Sequence, residues 1–118
     1  MSNFEQEWVE TFENDGFVVI RNLFSKQEVA EILQAFERLQ ATAEELPETS
    51  TYSGSDFVID REGERTRIHR VVWCGAAESV LSSFGKDPRI VNLAATLLGS
   101  AELDQLINQA HFKMPGDN

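Results

Sequence analysis

Three observations predict an α+β fold. Two capping boxes, Ser2-Asn3-Phe4-Glu5 and Ser25-Lys26-Gln27-Glu28, each open a stretch whose apolar residues recur at helical spacing. In the second half, Phe57–Asp60 and Thr66–Trp73 are short runs rich in β-branched residues on either side of a glycine turn. The 118 residues contain no repeat, low-complexity tract or linker, which allows one domain or part of one. Such a chain can bury roughly 65% of its unfolded surface, enough for a modest core.

Phe4, Trp8 and Phe12 form one stripe of a first helix, and Asn14-Asp15-Gly16 ends it with a glycine suited to the left-handed cap. Phe17-Val18-Val19-Ile20 is a β-branched run between turn signals and predicts a short buried strand. From the cap at Ser25, Val29, Ile32, Leu33, Phe36 and Leu39 mark the buried face of a second helix. It runs to about Leu46, where Pro47 stops it. Pro47 to Ser55 is rich in Ser, Thr and Gly and predicts a loop. Strands at 57–60 and 66–73 are joined through Arg61-Glu62-Gly63-Glu64. A short helix from Glu78 to Phe84 closes at Gly85. Asp87-Pro88 then caps another, with Ile90, Leu93, Ala94, Leu97 and Leu98 as its buried face and Gly99 at its end. Leu103 to Met114 predicts a long strand closed by Pro115-Gly116.

Twenty acidic residues against ten basic ones give a net charge of −10. That balance argues against nucleic acid, whose phosphates require clustered Lys and Arg, and against an anionic membrane surface. No apolar run is long enough to span a bilayer, and the acidic, amphipathic N-terminus is not a targeting peptide. Cys74 is the only cysteine, so an internal disulfide and a thiolate zinc cluster are excluded. Its setting after Val71-Val72-Trp73 predicts a buried, inert thiol. These features together point to the cytoplasm.

Alternation along the last strand places Gln109, His111 and Lys113 on one face and Ala110, Phe112 and Met114 on the other. The polar face either lines a ligand cavity or is the wet side of a surface strand. His69, with Val71 and Trp73 on its face, reads as a half-buried, hydrogen-bonded histidine. Arg61, Arg65, Arg67 and Arg70 form the one basic patch. It alternates with Glu62 and Glu64, which makes it paired surface charge or, alternatively, a seat for an anionic substrate tail. An oxygen-activating iron(II) site needs two histidines and a carboxylate. His69 and His111 are the only histidines, and neither has a carboxylate two residues on. No nucleophile triad, phosphate loop or zinc motif is present.

Asp15-Gly16-Phe17-Val18-Val19-Ile20-Arg21-Asn22-Leu23-Phe24-Ser25, the helix from Val29 to Leu39, Pro88 to Gly99 ending in Leu97-Leu98-Gly99, and His111-Phe112-Lys113-Met114-Pro115-Gly116 occur in the order seen in one family. In them the chain resembles the N-terminal part of the phytanoyl-CoA dioxygenase (PhyH-like) family of Fe(II)/2-oxoglutarate-dependent oxygenases. The resemblance implies a double-stranded β-helix (jelly-roll, cupin-like) that is incomplete here. Residues 1–50 would form a helical buttress with the short strand 17–20, and residues 51–118 would hold strands and helices leading into the β-helix core. It implies Fe(II) and 2-oxoglutarate as cofactors of the parent protein and hydroxylation of a small organic substrate. Lys113, then Gln109, would contact 2-oxoglutarate. The family's HxD pair, distal histidine and anchoring arginine have no counterpart before the chain ends. Neither cofactor is therefore expected to bind this chain alone, and self-association or a completing polypeptide is expected. The alternative function is a non-catalytic acidic α+β module that binds another protein.

Overall fold

The computed structural model describes residues 2–116. Both capping boxes are present. Ser2 and Glu5, and Ser25 and Glu28, exchange side-chain and backbone hydrogen bonds at the starts of α1 (Asn3–Asp15) and α2 (Lys26–Glu45). Gly16 closes α1 in the left-handed conformation. The segment 17–20 is irregular, which corrects the predicted strand there. A strand needs a ladder partner, and among the described residues no strand runs beside these; Phe17 and Val19 are exposed.

Four strands form an antiparallel sheet in sequence order: β1 (Ser50–Tyr52), β2 (Ser55–Glu62), β3 (Arg65–Val72) and β4 (Gln109–His111). β1 falls where a loop was predicted. Its hairpin to β2 uses the two-residue loop Ser53-Gly54, both at positive φ (49° and 84°), the combination that matches the twist of paired strands. Beyond β1, the Thr49 hydroxyl donates to the Ile59 carbonyl (3.1 Å) and accepts from its N–H (3.0 Å), standing in for a backbone rung. The β2–β3 hairpin turns at Gly63, also at positive φ.

α2 lies on one face of the sheet. Ala35, Leu39 and Ala43 pack with Phe57 and Ile59 of β2, Ile68 and Val71 of β3, and Ala110 of β4. The two alanines let the helix approach closely, while Ile32 and Phe36 cover the rim; the Phe36 and Phe112 rings meet edge to face at 5.9 Å. Val29 and Leu33 are exposed, which corrects the predicted burial of the whole apolar stripe. The stripe is wider than the sheet it covers. Arg61 donates to the Glu44 and Leu46 carbonyls (3.1 and 2.6 Å), satisfying the end of α2 that has no glycine cap.

Between β3 and β4 lie α3 (Cys74–Ala77), α4 (Ser79–Gly85) and α5 (Pro88–Leu98). Arg38 of α2 grips Glu78, at the start of α4, with two hydrogen bonds of 2.8 and 2.9 Å. Asp87 caps α5 ahead of Pro88, as predicted, but none of α5 is fully buried and Leu98 is exposed. The predicted strand 103–114 shrinks to three residues. Upstream, Asn108 is pulled onto α3: its carbonyl accepts from the Cys74 N–H (3.0 Å) and its side-chain oxygen from the Gly75 N–H (2.9 Å). These bonds hold the approach to β4 away from the ladder.

Candidate functional site

The face of the sheet opposite α2 is its polar side. Pairing places Asp56, Val72 and Gln109 in one row across β2, β3 and β4, and Val58, Arg70 and His111 in the next. Gln109 is half-buried and His111 exposed, while Ala110 between them enters the core. The alternation read from the sequence therefore holds for Gln109, Ala110, His111 and Phe112. It ends there. Lys113 and Met114 lie past the strand and both are exposed, so Met114 does not join the apolar layer.

A register shift between Val58 and Ile59 shapes this face. Ile59 opposes Ile68 and Val58 opposes Arg70, leaving His69 as the extra residue of a β-bulge. Ile68 and Val71, three apart, are both buried. The bulge thus breaks the simple alternation that grouped His69 with Val71 and Trp73. His69 instead meets Asp60, Nε2 to Oδ2 at 2.6 Å, and is half-buried and hydrogen-bonded as predicted. The bulge also sets Arg70 opposite His111.

The basic patch divides. Arg61 caps α2, Arg67 lies 3.8 Å from Glu62, and Arg70 stands alone of the four beside the β4 residues. The Gln109 side-chain amide donates to His111 Nε2. Among the described residues no three His, Cys, Asp or Glu side chains are placed to hold a metal ion, so iron does not fit the described residues. Arg70, Gln109 and His111 are grouped as hydrogen-bonding side chains on this face. Burial pushes the Cys74 thiol up, and it donates to Asn108 Oδ1 at 3.0 Å. No helix among the described residues is long and apolar enough to cross a membrane.

Comparison with known proteins gives a consistent result. The profile of the phytanoyl-CoA dioxygenase (PhyH) family matches residues 12–117. An ectoine dioxygenase of Nocardia farcinica is 32% identical over 111 residues, covering 93% of this chain and 34% of the relative. An ectoine dioxygenase of Bordetella bronchiseptica is 31% identical over 94 residues, covering 78% and 27%. The chain thus spans about a third of the length of these relatives. No solved structure gives a significant match.

Proposed function

Because the chain belongs to the phytanoyl-CoA dioxygenase family, we propose that it supplies the N-terminal part of an Fe(II)/2-oxoglutarate-dependent oxygenase that hydroxylates a small organic substrate in the cytoplasm. On this reading residues 1–50 buttress a double-stranded β-helix and residues 51–118 lead into its core. The observation that carries the proposal is the grouping of Arg70, Gln109 and His111 on one sheet face, with Lys113 just beyond. Gln109 and Lys113 would contact the carboxylates of 2-oxoglutarate, and Arg70 adds a charge able to bind a carboxylate in bidentate fashion. When bound, 2-oxoglutarate supplies the electrons for oxygen activation; these residues hold and orient it. Iron ligands are not available among the described residues. The names of the relatives make ectoine the first substrate to test.

Among the described residues β4 has no strand on its far side. Such an edge recruits a partner, and here that partner would be further strands of the β-helix or a second polypeptide. The test fuses this chain to the remaining two thirds of the Nocardia farcinica relative. With Fe(II), oxygen and 2-oxoglutarate, the fusion is expected to form succinate and the 118-residue chain alone to form none. A folded fusion without turnover, or turnover by the chain alone that disappears in His111→Ala, contradicts the proposal. The interaction-module alternative has no observation of its own in its favour.

A further inference from the structure

A cleft of about 360 Å³ opens at the end of the sheet where β3 leaves through Trp73 and β4 enters through Asn108. Small-molecule sites fall in the range of roughly 300–1,000 Å³. Trp73, Ser82, Lys86, Gln105 and Asn108 line it, above a wall of Gly75 and Ala76. Three features distinguish it from a surface dent. Lys86 makes no ion pair among the described residues, in a chain with twenty acidic side chains. The Asn108 amide is fixed, because its Oδ1 accepts from both the Gly75 N–H and the Cys74 thiol. Its Nδ2 lies on the side of Gly85, where an added Cβ would meet it at 2.7 Å, and Asn108 lines the cleft. Trp73 is held at φ 54°, ψ 48°, a left-handed conformation that is strained for a bulky residue. Its carbonyl is pinned by the Ser55 hydroxyl (2.7 Å) and the Ala76 N–H (2.9 Å), while the residue stays 42% exposed.

We infer that this cleft binds a small carboxylate with a flat apolar body. The ammonium of Lys86 and the amide of Asn108 take the carboxylate, and the indole of Trp73 takes the flat body. No acidic side chain lines the cleft, so an anion meets no like charge there. The inference does not depend on the oxygenase reading.

Benzoate is the probe, and benzamide its uncharged counterpart of the same shape. Titration is followed on the Trp73 indole N–H signal in ¹⁵N-labelled protein, with the backbone amides of Gly75, Lys86 and Asn108 alongside. Benzoate is expected to shift these signals saturably, leaving the Trp8 indole unmoved. Benzamide should bind about tenfold more weakly or worse, the loss of one charge-assisted hydrogen bond. Lys86→Met should cost a similar factor and Lys86→Arg should restore most of it; Lys86 is exposed, so neither change threatens the fold. Shifts that never saturate, equal affinity for benzamide, or unchanged affinity in Lys86→Met each overturn the inference.

Discussion

Arg89 ties three parts of the chain together. Its guanidinium donates to both Glu28 carboxylate oxygens, to both Asp87 oxygens at 2.9 Å and to the Leu23 carbonyl, and it lies 4.5 Å from the centre of the Phe24 ring. These bonds, with backbone N–H donors from Ser25 and from Arg89 itself, hold Glu28 at about 2 instead of 4.5 and Asp87 at about 2 instead of 3.8. Both carboxylates resist protonation more in the folded than in the unfolded chain. The stability they add is therefore present in full above pH 4.5 and is lost as pH falls towards 2. Arg89→Met should flatten that acid-side decline in urea-unfolding midpoints measured from pH 6 down. An unchanged pH profile would mean that the cluster is not coupled to folding. A second residue-scale prediction concerns Gly75. A Cβ there would lie 2.9 Å from the Ser82 Cα and 3.0 Å from Asn108 Oδ1, so Gly75→Ala should destabilise by about 1–3 kcal/mol through overpacking. Denaturant unfolding reads this directly.

At the scale of elements, α2 offers a paired comparison. Leu39 is 1% exposed and Leu33 is 56% exposed. Leu39→Ala should cost about 2–5 kcal/mol, whereas Leu33→Ala should stay within about 0.5 kcal/mol, as surface changes do. Equal effects would show that the helix is rotated about its axis from the position described. The same helix shows what its sequence could reveal. Its ends were legible because capping is local: Ser25, Glu28 and Pro47 mark them without help from the rest of the chain. Its facing was not, because Val29 and Leu33 follow helical spacing as well as Phe36 and Leu39 do. Which of them is covered depends on where the sheet stops. The strands behave likewise. β2 and β3 are legible from composition and turn, yet β1 is not, although Ser53-Gly54 is a hairpin signal, because polar Ser50-Thr51-Tyr52 carries no apolar alternation. The overlong strand at 103–114 failed for a tertiary reason, the anchoring of Asn108 on Cys74 and Gly75.

For the whole molecule, part of the candidate site was visible in advance. Alternation put Gln109 and His111 together, and they share a face. The arrival of Arg70 opposite His111 was not visible, since it depends on a bulge at His69 that no local residue type announces. Lys113 lies past β4, so alternation along the strand does not fix its face. The central claim is that this group of side chains forms part of a 2-oxoglutarate site, and residue-resolved NMR tests it most directly. Titrating 2-oxoglutarate, without metal, into the fusion with the rest of the Nocardia farcinica relative, ¹⁵N-labelled, should move the amide signals of Arg70, Gln109, His111 and Lys113 together. Arg70→Met should weaken the response about tenfold, as expected for one charge-assisted contact. Signals that stay still at those four positions, or that move only elsewhere in the chain, would contradict the claim.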